Sequence, residues 1–311
     1  MTSDGFTPGD ADVFVPGLLG AIDVDGGPTD EQRAVLDALT SGLWSARAVD
    51  PARLAPLAPG DAAAAIPDPE DRRRARELLV LFELCRHPVA PAQVMRTEEY
   101  ADALAQSGPG IELVRDLVAK GVGIAAADYL RHLDEERADL TEPSMRGSRD
   151  DAGDAPDPEL AQRLRALHDL PPGTLGHEYV EFYLRNDLAL PGDDPSSPAV
   201  FVSHDMCHVI GGYEPTGPGE IALGGMQLAI ADTDTHWIQF LGNLGVHEAG
   251  YLGVHAVAKE ATLARPGAAA TLADAIRRGE QCTGDFTAAD HLAMVERPLA
   301  DVRADFGVPP R

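Results

Sequence analysis

Apolar residues recur at helical spacing along most of this chain, and strand-like alternation is scarce. Val35, Leu36, Leu39 and Leu43 fall on one helix face. Thr29 and Asp30 precede that stripe as caps, and Glu31 favours the dipole in the first turn. A longer helix starts near Glu70, turns Leu78, Leu79, Leu81, Phe82 and Cys85 toward a core, and stops at Pro88. Further helices are expected over 91–105 and, after the Gly108-Pro109-Gly110 break, over 111–136, with a kink at Gly121 and Gly123. The prolines between 51 and 69 leave room for short helices at most. Residues 1–28, rich in Gly, Pro and Asp without a period, read as an irregular arm.

Residues 141–158 carry almost no apolar side chain and read as an exposed linker. Beyond them, helical patterns cover 158–168, 173–187, 199–211, 219–231, 236–259 and 271–278. A last one covers 288–306 and is interrupted at Pro298. The fold expected is all-α, in two helical modules: 29–140, and 159–311 after the linker.

Composition narrows the function. A net charge of −26 repels phosphates, which argues against nucleic acid as a partner and against binding an anionic membrane through charge alone. No apolar run reaches membrane-spanning length, and the first residues show neither a secretory signal nor an Arg-rich transit peptide. A cytoplasmic protein is expected, with membrane association left open. Three scattered cysteines, Cys85, Cys207 and Cys282, suit reduced thiols.

The residues that carry chemistry lie in FVSHDMCHVIGGYEPTGPGE, 201–220. His204 and His208 stand four apart, so on a helix both imidazoles face the same way and can meet one divalent ion. Asp205 is turned by about 100° but can reach a neighbouring coordination position or orient a ligand. Glu220 returns after a turn stiffened by Pro215 and Pro218, as a further oxygen ligand. Two nitrogens with one or two carboxylates suit zinc first, and also manganese or iron. Cys207 points about 100° away from His208 and reads as a small buried residue. Two histidines at this spacing also occur as ordinary packing or capping residues.

The order HDxxH, eleven residues, Glu resembles the signature of the Coq4 family, the ubiquinone-biosynthesis proteins. GTLGHEY (173–179) is similar to the GTLG-x-x-Y that opens that family's core. Val209–Gly212 and Gly219-Glu220-Ile221 resemble its H-x-x-x-G and GE-hydrophobic segments. ERPLADVRADFGV (296–308) resembles its closing P-L-x-x-V/I-R-x-x-x-G-I/V. Together these pieces span roughly 159–311. In the first half, DEQRAVLDAL and EEYADAL faintly resemble the tellurite-resistance TerB-like helical domains.

The resemblance implies a metal held by His204, Asp205, His208 and Glu220. It also implies a prenylated quinone precursor, or another polyprenyl lipid, as ligand. The reaction implied is metal-dependent oxidative C1 decarboxylation, a lyase-type step. Tyr179 and Tyr183, with the small-residue positions Gly245 and Gly253, are the candidates to line the ligand site. Tyrosines at helical spacing equally suit a core, and the glycines equally suit close helix packing. Peripheral membrane contact and a homo-oligomer are the other associations considered. One departure bears on the substrate: Val202-Ser203 replace a basic run before the motif, and His177 stands where the family often has arginine. Two alternatives remain: a lipid-binding scaffold with a structural metal, and an HD-type phosphohydrolase using His177 and Asp232 or Asp234.

Overall fold

The computed structural model describes residues 11–43, 50–87, 90–105, 141–146, 156–194, 197–250 and 261–311. Among them the regular structure is helical, as the pattern predicts. The helices are α1 (Ala11–Ile22), α2 (Asp30–Leu43), α3 (Pro59–Ala65), α4 (Pro69–Leu84), α5 (Pro91–Ala103), α6 (Pro158–Ala166) and α7 (Leu175–Asn186). They continue with α8 (Phe201–Gly211), α9 (Gly217–Ile230), α10 (Asp234–His247), α11 (Ala268–Gln281) and α12 (Leu299–Asp305). The expected helix over 111–136 lies outside the described residues.

Caps written in the sequence start several of these helices. Thr29 and Gln32 form a reciprocal capping box on α2: each side-chain oxygen accepts the other's backbone N–H at 3.1 Å. Asp68 caps α4, Thr174 caps α7, Thr216 caps α9 and Thr233 caps α10. Gly212, at φ +79°, closes α8 in the left-handed conformation that glycine adopts without strain.

Three expectations are corrected. The arm over 1–28 contains α1, whose Phe14, Val15, Leu18, Ala21 and Ile22 are buried. Apolar residues surround this helix, so no period marks it, and Pro16, Gly17 and Gly20 lower its propensity. Gly20 is required there: a Cβ would sit 2.2 Å from the Leu57 carbonyl oxygen. The helix expected over 236–259 ends at His247, and Gly250 turns the chain at φ +71°. Residues 251–260 lie outside the described set. The helix expected over 288–306 is a short 3-10 turn at Leu292–Met294 followed by α12.

The chain divides into two compact units, and the division is not linear. The first comprises the described residues of Met1–His132 and Thr216–Arg277, the second those of Leu133–Pro215 and Arg278–Arg311. This differs from a boundary at 141–158. Ile221 and Leu228 of α9, with Trp237, Phe240, Leu241 and Leu244 of α10, share one core with Phe14, Leu36, Leu81 and Tyr100. Helices α9 and α10 are apolar over most of their surface and bury it against the N-terminal helices. Helix α9 meets α10 closely at Gly224, where a Cβ would lie 3.1 Å from Phe240 and from Asn243. Arg73 and Arg74 of α4 pair with Asp232, which also accepts the Trp237 indole N–H at 2.7 Å.

The start of the expected linker is also ordered into a core. Thr141, Glu142 and Met145 are buried, and Glu142 accepts the Leu292 N–H at 2.9 Å within the second unit. A polar segment can be buried when a partner supplies hydrogen bonds. His291 supplies the second one, 2.8 Å from Glu142.

Candidate metal centre

Helix α8 carries the HDxxH motif, and the i, i+4 spacing does what helical geometry dictates. The Nε2 atoms of His204 and His208 face each other at 3.1 Å. In a tetrahedral zinc site, two nitrogens at about 2.0–2.1 Å from the ion stand roughly 3.3 Å apart. With a carboxylate oxygen of Asp205, the ligand atoms of the three residues lie within 4.8 Å of one another. His208 is fully buried, Asp205 is 9 % exposed, and His204 is half-buried.

The surroundings fix these side chains. The Nδ1 of His208 lies 3.0 Å from the Tyr213 carbonyl oxygen, so it carries the proton that is donated there. That assignment leaves the Nε2 lone pair directed at His204 and the ligand position. Phe182 stacks on the His208 ring at 5.5 Å. Tyr183 donates its hydroxyl hydrogen to Oδ2 of Asp205, and Tyr179 stands behind it, with hydroxyls 3.4 Å apart. Burial, then the charge of Asp205, pushes both phenols well above their ordinary pKa, so they are donors and not phenolates.

Helix α7 brings these aromatics into place, and the two flanking signatures join behind it. The Leu175 N–H donates to the Arg297 carbonyl and the Gly176 N–H to the Val295 carbonyl, both at 2.9 Å. The Leu299 N–H returns a bond to Gly173 at 2.8 Å. A Cβ at Gly176 would lie 3.0 Å from Val295, so only glycine fits without displacement. Arg303, from the closing signature, donates to the Val209 and Ile210 carbonyls at 2.9 Å each. Arg278 donates to the Gly211 carbonyl at 2.9 Å. The free carbonyls at the end of α8 are thus capped by guanidinium groups, which the negative end of a helix favours.

Of the residues read from sequence, the second unit brings together His204, Asp205, His208, Tyr179 and Tyr183. Tyr183 serves as the hydrogen-bond partner of Asp205, a role the spacing alone did not indicate. Glu220 stands in the first turn of α9, in the first unit, where its carbonyl accepts from Asn243 at 3.0 Å. Gly245 is buried in α10 of the first unit, and Gly253 lies outside the described residues. Cys207 is buried with its sulfur 3.8 Å from His291 Nε2. Cys85, Cys207 and Cys282 are all free thiols.

No family model matches this chain, and no curated protein matches it. A crystal structure of a candidate ubiquinone biosynthesis protein from Nostoc punctiforme is similar to it at 20 % identity, covering 76 % of this chain and 99 % of that one. The TM-score is 0.36, and a likeness of that depth assigns neither family nor activity to this chain.

His177 presents a different chemistry from the arginine that the family resemblance leads one to expect. It stacks on His168 at 4.8 Å, and the two imidazoles with Glu181 form a partly exposed group. Sequence reasoning missed the Glu142–His291 pair, which is fully buried. Burial works against the charged imidazole, but contacts with Cys207 and Glu142 raise its pKa to about 10. The only signal for it was one acidic residue in a polar stretch. Among the described residues no helix is long and apolar enough to cross a membrane.

Proposed function

We propose that this chain is a Coq4-like quinone-biosynthesis protein. It binds a prenylated aromatic precursor and assists metal-dependent oxidative removal of the C1 carboxylate. The observation that supports this reading best is the pair of facing Nε2 atoms on α8, with the His208 tautomer set by Tyr213 and Asp205 oriented by Tyr183. His204, Asp205 and His208 suit one divalent ion, zinc first, with manganese or iron as alternatives. Bound there, a divalent ion supplies a Lewis acid for the developing anion.

The chain's own groups have defined tasks in this scheme. His204, the least buried of the three, lies toward the entry of substrate. The Tyr183 phenol orients Asp205, and Tyr179 donates in turn to Tyr183. The precursor's aromatic head meets this polar group, and its polyprenyl tail is held by apolar contact; Gly245 and Gly253 stay candidates for that contact on sequence alone. With no basic run before the motif, the tail supplies most of the affinity, at about 0.8 kcal/mol for each CH₂ removed from water. Such a ligand resides in membranes, so peripheral membrane contact goes with the proposal.

The scaffold reading keeps one specific support. His208 and Asp205 are almost wholly buried, as in a metal site that ties helices together. One experiment separates the two. Metal-loaded protein is incubated under oxygen with a prenylated hydroxybenzoate labelled with carbon-13 in its carboxyl group. Labelled CO₂ is expected from the wild type and not from His208→Ala. Full metal occupancy and lipid binding without labelled CO₂ favours the scaffold. Absence of both metal and lipid removes the proposal.

A further inference from the structure

The first unit holds a second constellation of metal-ligand type. Glu31 lies in the first turn of α2, His87 just beyond α4, and Glu248 at the C-cap of α10. One ligand atom from each lies within 4.8 Å of the others. The Glu248 side chain is fully buried, and its Oε2 accepts the Leu263 N–H at 2.7 Å. Its Oε1 then lies 2.7 Å from His87 Nε2. The same nitrogen is 3.7 Å from Oε2 of Glu31. The Glu31 side chain is 10 % exposed, and its Oε1 is buried with no hydrogen-bond partner, while its carboxyl also lies against Glu248 and the Ala264 backbone.

Two buried carboxylates beside one imidazole are short of positive charge. A single Nε2 cannot serve both acids in full, and a buried oxygen without a partner is unfavourable. We propose that Glu31, His87 and Glu248 form a second divalent-cation site that fastens α2, the end of α4 and the end of α10 to one another.

The donor set indicates the class of ion. Two carboxylates with one imidazole suit manganese(II) or iron(II), harder than an all-imidazole site and softer than a calcium cage. Cys85 adjoins the group at the C-cap of α4, fully buried. His87 is 15 % exposed and marks the side from which a cation enters.

The test uses the full chain with His204→Ala and His208→Ala, which removes the α8 imidazoles. After chelation, manganese(II) is titrated in and the free ion followed by its paramagnetic resonance signal, with the melting temperature as a second readout. One equivalent bound and a raised melting temperature are expected. His87→Ala added to that chain is expected to weaken binding by about 10–100-fold, with Glu31→Gln acting in the same direction. Should the double-alanine chain fail to fold, the stoichiometry of wild type against His87→Ala decides: one equivalent fewer in the variant supports the site. No manganese or zinc bound at millimolar concentration overturns it. So does binding that neither His87→Ala nor Glu31→Gln changes.

Discussion

Tyr183 donates its hydroxyl hydrogen to Asp205 across a helix–helix contact between α7 and α8, and both side chains are buried. A carboxylate in that position needs a donor whether or not an ion is bound. Replacing Tyr183 by Phe removes it while keeping the ring that packs on Phe182. The expected loss of stability is about 1–3 kcal/mol. Metal affinity is expected to fall by about 10–100-fold, as for other groups that orient a ligand. Denaturant unfolding and metal competition with a chelator measure the two effects. A variant with wild-type affinity would show that Asp205 does not bind the ion.

Arg303 ties the closing signature to α8, the helix of the HDxxH motif, through the Val209 and Ile210 carbonyls. Arg303→Met keeps much of the stem packing but strands both oxygens, so destabilisation of about 1–3 kcal/mol is expected. Arg303→Lys is expected to restore only part of it, because an ammonium lacks the planar fork that reaches two acceptors. Thermal melts of the two variants against wild type test this. Equal melting temperatures for all three would remove the cap from the account.

The Glu142–His291 pair makes stability depend on pH. The His291 pKa is raised to about 10 in the folded chain, against about 6.5 when unfolded. Its contribution is fully present below the unfolded value and is lost as pH rises through the folded value. The urea midpoint of wild type is expected to decline between neutral pH and pH 10 more steeply than that of His291→Gln. Parallel declines would show that the pair is not charged.

The two-unit division predicts the fate of a fragment. A chain of residues 156–311 retains α9 and α10 but lacks the helices whose core they share. Ile221, Leu228, Trp237, Phe240, Leu241 and Leu244 then face water, at about 1.5–3 kcal/mol for each large side chain. The fragment is expected to aggregate or to melt without a cooperative transition. A monomeric, cooperatively folding fragment would show that 159–311 is a domain in its own right.

The sequence by itself determined what depends on near neighbours in the chain. The helical period, the cap at Thr29 and the common face of His204 and His208 are set within a few residues of one another. The same local reading missed α1, because a helix buried on all sides has no polar face to reveal it. It also ran α10 past its end, because Gly250 is one of four glycines in that stretch and only the fold singles it out for the turn. Tertiary structure decided everything that needs a distant partner. It placed Tyr183 on Asp205 and closed the GTLG turn on Val295 and Arg297. It buried Glu142 against His291, and it gathered Glu31, His87 and Glu248 from three separated segments. It also assigned α9 and α10 to the first unit and α8 to the second, though all three follow closely in sequence. The physical reason is that an apolar surface specifies burial but not the partner that buries it, and a charged residue specifies a need for compensation but not its source.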